Sequence, residues 1–296
     1  LGEDTMYIET STTELSIAAG SSDTAELRFT RPFGAVRVTV TSNSPAGANG
    51  MGPDLSDLDR VLVELPSRGG TARRLNLSGN EVNMLPLVAA LGATTSDEAA
   101  MASSYELFTD SVNTGVSQTT DYAYFDLPVG AAAGEEIRIT FEVASAPGPG
   151  GATTGFTFRF TALENVPNRN LVFDVTTLGT GTRVDHTFRN DVTPFAMIVG
   201  SGSGYLFGIV DNSVYRNLTE VNFDGLPRFT YDDMYALATE ADKVITSSVV
   251  ANSRDAQTHD CAFLQVPAGV KKANIEANGV FDRWVVVAYV DGGVSA

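Results

Sequence analysis

The chain has almost none of the side chains that most often perform chemistry. In 296 residues there is one cysteine, Cys261, two histidines, His186 and His259, and one tryptophan, Trp284. A single cysteine excludes an internal disulfide. Two histidines do not supply the several-histidine set that a strand-borne metal centre needs. Lysine is nearly as scarce, with three residues (Lys243, Lys271, Lys272) against 16 arginines, and the net charge is −17. An acidic chain gains nothing from releasing phosphate counterions, so direct wrapping of nucleic acid is disfavoured. An acidic membrane surface repels it as well. High acidity with little lysine fits a salty habitat, where screening weakens self-repulsion, and equally an ordinary acidic surface. No apolar run approaches the roughly 20 residues of a membrane span. The opening LGEDTMYIET lacks the basic and apolar regions of a signal peptide. GxSxG, HExxH and P-loop patterns are all missing.

What is present is strand signal. Short alternating or β-branched runs, bounded by Gly, Pro, Asn or Asp, predict strands at 13–19, 24–30, 34–40, 60–65, 72–77, 105–110, 122–127, 135–143 and 155–163. A second series follows at 171–177, 183–189, 195–200, 205–210, 215–221, 245–250, 261–266, 272–277 and 283–290. Each series has one helix candidate. In the first, Ser78 and Glu81 have capping-box spacing, Gly92 is a stop and Pro86 predicts a late start or a kink. In the second, Thr230 and Asp233 open a run with Met234, Leu237, Ala238 and Ala241 at helical spacing.

The two series are copies. DYAYFDLPVG (Asp121 to Gly130) is echoed by DCAFLQVPAG (Asp260 to Gly269), and FTRPFGAVRVTV (29–40) by FRNDVTPFAMIVG (188–200). Pro32 to Pro128 is 96 residues and Pro194 to Pro267 is 73, so the first copy holds 23 more. These extra residues fit polar loops at 42–57 and 93–104. The junction falls near ENVPNRN (164–170). The Gly/Pro-rich 146–154 is a loop between the last two strands of the first copy, in the slot that a short hairpin-type turn at Asn278-Gly279 fills in the second. The expectation is all-β: two tandem eight-stranded jelly rolls, 1–163 and 164–296, each with a short helix between its two four-strand groups.

Reactive candidates all have plainer readings. His259 and Cys261 are two apart and share a strand face, but Cys261 takes the place of Tyr122, a packing position. VGSGSGYLFG (199–208) has Phe207 where GxGxxG needs its third glycine and no helix start to receive a phosphate. Asp54, Asp57 and Asp59 form the one candidate calcium loop, without EF-hand spacing, and otherwise a solvated acidic loop. Asn76-Leu77-Ser78 and Asn217-Leu218-Thr219 match the glycosylation sequon. RWVVVAYV (283–290) is apolar on both faces, which predicts burial on both sides, between sheets or against a neighbouring subunit. No catalytic residue and no firm cofactor emerges.

Two copies of strands–helix–strands, the repeated D-[YC]-A-[YF]-[FL]-x-[LV]-P-x-G phrase and a short junction resemble double jelly-roll major capsid proteins. These form the shells of tailless, membrane-containing icosahedral viruses, the adenovirus hexon among their relatives. The resemblance implies a non-enzymatic structural protein of the virion. It implies homotrimers of pseudo-hexagonal outline joined in a capsid lattice. Minor capsid proteins, vertex proteins and the outer face of an internal membrane would be its further partners. The chain departs from some relatives in having no basic amphipathic N-terminal helix to lie on that membrane. The alternative reading is a carbohydrate-binding or adhesive β-sandwich, with Tyr205, Phe207 and Tyr215 as its candidate aromatic platform.

Overall fold

The computed structural model describes residues 8–43, 57–85, 88, 122–147, 153–163, 170–200, 218–230, 233 and 261–292. Strands dominate, and no helix among the described residues reaches seven residues or could cross a membrane.

Among the described residues the first half holds eight strands: β1 (Ile8–Ala18), β2 (Ser22–Arg28), β3 (Ala35–Ser42), β4 (Leu58–Glu64), β5 (Arg73–Ser78), β6 (Tyr122–Leu127), β7 (Glu136–Val143) and β8 (Gly155–Leu163). They form two four-stranded sheets, in the orders β1-β8-β3-β6 and β2-β7-β4-β5. First pairs with eighth, second with seventh, third with sixth and fourth with fifth, all antiparallel. That nesting is a long hairpin rolled upon itself, the jelly roll. Alternation sets the core: Leu15, Ile17, Val36, Val38 and Val40 face Leu27, Val61, Val63, Leu75, Leu77, Ile137, Ile139 and Phe141 between the sheets, all buried. Phe141 and Phe158 stack at 4.3 Å across that gap.

The second half repeats the order in fewer, longer elements: β9 (Leu171–Thr187), β10 (Thr193–Gly200), β11 (Leu218–Phe223), β12 (Cys261–Gln265) and β13 (Lys272–Val290). β9 pairs with β13 along its whole length, so β9 contains the first and second strands and β13 the seventh and eighth. One end of β13 pairs with β10, which pairs with β12; the other end pairs with β11. Every strand pairing among the described residues joins strands on the same side of 164–169.

Two expectations change here. The strands at 272–277 and 283–290 are not joined by a hairpin turn. They are one continuous strand that shifts register between Glu276 and Phe281, pairing with β11 before the shift and with β10 after it. Arg283 holds this corner, its Nε donating to the Gly179 carbonyl at 2.9 Å and its Nη2 to the Leu178 carbonyl at 2.8 Å. The first helix candidate opens with a six-residue 3₁₀ turn, Gly79–Met84, continues as α-helix at Leu85 and Val88 and otherwise runs outside the described residues; it follows the fifth strand, not the fourth. Its capping box is formed by Ser78 and Glu81. In the second half Asp233 Oδ2 accepts from Thr230 N and Oγ1, both at 2.8 Å, so the same start signal stands in the same place. The expected strands at 105–110, 205–210 and 245–250 lie outside the described residues.

Gly155 shows how closely the first sheet is packed. It starts β8 at φ +143°, and a Cβ there would stand 2.1 Å from the Ile17 carbonyl oxygen of the paired strand. Gly155→Ala is therefore expected to cost about 2–4 kcal/mol through backbone displacement and strain. Urea unfolding followed by circular dichroism measures it.

Candidate functional site: the seam between the two halves

The outward faces of the two corresponding sheets differ in kind. In the first half, Glu14, Ser16, Thr157, Arg159, Thr161 and Arg37 face away from the core. They pair among themselves: Arg159 Nε to Glu14 at 2.5 Å, Ser16 to Thr157 at 2.9 Å, and Arg37 to Asp126 at 2.8 and 2.9 Å. In the second half, the equivalent face carries Leu171, Phe173, Ala196, Ile198, Trp284, Val286 and Ala288, all buried. Its inward neighbours Val172, Val285, Val287 and Tyr289 are buried too, so burial is continuous on both faces of β13 over Trp284–Tyr289. The two-faced apolar run at 283–290 is thus satisfied inside one chain, between sheets.

The first half meets this face at β9. β5 and the Gly79–Met84 turn pack on β9. β5 alternates Leu75 and Leu77 inward with Arg74 and Asn76 outward, and outward here means into the seam. Arg74 is 1% exposed and lies 2.8 Å from Asp291, which is 5% exposed and follows β13 directly. The contact is a charge pair and not an aligned hydrogen bond, since no guanidinium nitrogen of Arg74 has a hydrogen-bond partner. Burial pulls the Arg74 guanidinium below its ordinary value, and Asp291 opposes that shift.

Beside this pair lies a second. Arg68 grips Glu135 with Nε at 2.7 Å and Nη2 at 2.9 Å. Ser67 Oγ and Ala132 N also donate to the carboxylate. These bonds, Arg68 first, hold Glu135 down to about 2. Glu135 and Arg68 act on Arg74, and Asp291 acts on Arg68, so four charges of alternating sign form one cluster. Arg68 and Glu135 sit in the links between fourth and fifth and between sixth and seventh strands. Asp291 sits where the eighth strand of the other half ends. All are at one end of their jelly roll, so the halves stand the same way up.

None of this was anticipated from sequence. Arg74 sits in ARRLNL, where alternation places arginine on a solvent face, and no local signal links it to a residue 217 positions away. The expected candidates are only partly among the described residues. Asp54 lies outside the described residues, Asp57 is buried and Asp59 exposed. No group of three or more potential metal ligands occurs among the described residues. His259 also lies outside them, and the Cys261 backbone pairs with Gly200. His186 is half-buried, 3.3 Å from the Tyr289 hydroxyl, and burial lowers its pKa. Asn76 of the first sequon accepts from Arg60 at 3.1 and 3.2 Å within the sheet. The second sequon is partly outside the described residues, as are Tyr205, Phe207 and Tyr215 and residues 199–208 beyond Gly200.

No protein-family model and no curated protein matches the chain. Among solved structures it is similar to the crystal structure of the major capsid protein of Sulfolobus turreted icosahedral virus, at 10% identity over 96% of this chain and 95% of that one, TM-score 0.52. It is also similar to a chain in the atomic structure of that virus, at 11% identity over 96% and 90%, TM-score 0.53. A looser likeness, TM-score 0.47 at 9% identity over 100% and 87%, is to the PBCV-1 virus capsid. At these identities the likeness is one of fold: the chain has the double jelly-roll fold of viral major capsid proteins.

Two predictions follow from the seam. Asp291→Asn strands a buried guanidinium and should cost about 3–5 kcal/mol, while Arg74→Met with Asp291→Asn should recover most of the loss. Urea titrations of the single and double variants measure the coupling. Glu135 is lowered in the folded state, so its stabilisation is full above its ordinary value of 4.5 and is lost as pH falls from there toward about 2. Glu135→Gln should flatten that part of the stability profile, measured as thermal midpoint against pH.

Proposed function

We propose that the chain is the major capsid protein of an icosahedral virus, a non-enzymatic building block that resides in the virion shell. In this reading it forms homotrimers of pseudo-hexagonal outline, which then tile the capsid lattice. One observation carries the reading: two jelly rolls of one chain stand side by side, the same way up, locked by a buried apolar and ionic seam. Three such chains present six similar blocks around a threefold axis, a shape that tiles a nearly flat surface. The domains are 1–163 and 164–296.

The charge distribution supports the same picture. The segments 44–56, 86–121, 201–217 and 231–260 hold 13 acidic and three basic residues. The strands flanking them place their points of attachment away from the ionic cluster in both halves. The links at the cluster end are short and of mixed charge, and the chain as a whole carries a net charge of −17. Like-charged blocks repel over a Debye length of about 10 Å at 0.1 M salt and far longer in dilute buffer. Other copies of the chain are the first partners. Minor capsid and vertex proteins, and the outer face of an internal membrane, follow from the resemblance alone.

Light scattering at micromolar concentration should give the mass of three chains. A strict monomer there overturns the reading. Electron micrographs of concentrated protein should show hexagonally outlined particles, and their association into sheets should rise steeply with ionic strength.

A further inference from the structure

Arginines elsewhere in the chain find acceptors. Arg37 and Arg68 each send two nitrogens to a carboxylate. All three guanidinium nitrogens of Arg283 donate to backbone carbonyls of β9. Arg74 is the exception. Its Nε, Nη1 and Nη2 are the only buried side-chain nitrogen or oxygen atoms among the described residues that lack a hydrogen-bond partner. At 1% exposure the side chain cannot turn to bulk water instead. A buried donor without an acceptor forfeits its bond to water and gains nothing in return, so native interiors answer such groups.

The acceptors nearby are already used. Asn76, on the same face of β5, accepts from Nε and Nη2 of Arg60. Glu135 accepts from Arg68, Ser67 and the Ala132 amide. Asp291 stands 2.8 Å from Nη2 but off the line of its N–H bonds, so it offers charge without a hydrogen bond. That charge does not offset the loss of water. Burial is the largest influence on the Arg74 guanidinium and pulls it down in spite of Asp291 and Glu135, and Arg68 adds repulsion. The seam therefore holds an under-compensated cation with surplus donors. A water molecule answers the donors and brings no charge. An anion answers both needs. Burial on both sides of the pair limits it to a small species, and one guanidinium calls for a single charge.

We propose that the seam is a binding site for a small monovalent anion of the chloride class, held by the free donors of Arg74 between β5 of the first half and the end of β13 in the second. The ion adds an acceptor where the two jelly rolls meet, so it favours the docked arrangement over the parted one. Stability of the junction then depends on which anion the medium contains and not only on its ionic strength. The site lies within one chain, so it stands or falls independently of the capsid reading.

The test uses the full chain. Thermal midpoints are measured along a sodium chloride series in which sodium gluconate holds the ionic strength constant, so that general screening does not change. Once the site begins to fill, each tenfold rise in chloride should raise the wild-type midpoint by about 2–4 °C. Arg74→Met combined with Asp291→Asn removes the cation with its counter-charge and should show no such rise. Asp291→Asn alone should begin its rise at lower chloride, because the anion no longer faces a carboxylate. Crystals of the wild-type chain grown with bromide in place of chloride should give an anomalous scattering peak at hydrogen-bond distance from Arg74. Equal chloride dependence in the wild type and the double variant overturns the proposal. So does an ordered water at Arg74 with no bromide peak there, a result that needs no variant to fold.

Discussion

A β-sandwich has two inner faces that must be apolar and two outer faces that normally meet water. The structure turns on one exception: the outward face of the second half's β9–β13–β10 sheet is as apolar as its inward face. Exposed, Leu171, Phe173, Ala196, Ile198, Val286 and Ala288 would form the kind of contiguous patch that drives aggregation. Covered, they make the two jelly rolls one body. The ion pair between Arg74 and Asp291 is a weaker source of stability than this apolar surface, because desolvating both charges offsets their attraction. Its effect is on placement. A buried guanidinium whose nearest counter-charge, Asp291, lies on the other half tolerates few arrangements of the halves, so apolar contact supplies the free energy and the charges fix the register.

The repeat shows how the exception arose on a shared scaffold. The register that sets Arg37 opposite Asp126 in the first half sets Ala196 opposite Gln265 in the second. Thr39 corresponds in the same way to Ile198, Arg159 to Val286 and Thr161 to Ala288. Each change removes charge or a hydroxyl from one outward face while inward neighbours stay apolar. The pairing pattern is unchanged, because a ladder of backbone hydrogen bonds is indifferent to which side chains point outward. The same register shows that the Pro-Phe echo is only approximate. Arg37 and Ala196 are 159 residues apart and Pro32 and Pro194 are 162, a difference absorbed near the bulge after Pro194.

Strand positions, the duplication and the all-β class could be read from the sequence because they are written in short-range terms: period-two alternation, turn residues and two capping boxes. The repeated DYAYFDLPVG phrase reduces to the sixth strand and its exit, β6 in one half and β12 in the other, with no fixed reactive group. The corner at 277–283 was misread because Asn-Gly is a strong hairpin signal. What keeps the strand running is remote, the Arg283 guanidinium reaching four residues of β9. The seam could not be read at all. Arg74 obeys the alternation of a solvent-facing position, and only the second half makes that position buried. RWVVVAYV did announce burial on both sides, which is a local property, but not what would cover it.

Placing the apolar seam within the chain also has a kinetic consequence. Domains of one chain meet at high effective concentration, so a permanent hydrophobic junction forms during folding and is never offered to other molecules. In the proposed shell, contacts between chains would instead form between separate subunits, and reversibly enough for a misplaced one to leave. A face of paired charges and hydroxyls suits that task, since its hydrogen bonds to water are replaced on contact and not simply lost, and its net free energy per contact stays small. A chain with the opposite assignment, polar between its halves and apolar outside, would fold into two loosely tethered bodies and associate indiscriminately. Polarity on the first outer face and its absence on the second are two expressions of one requirement.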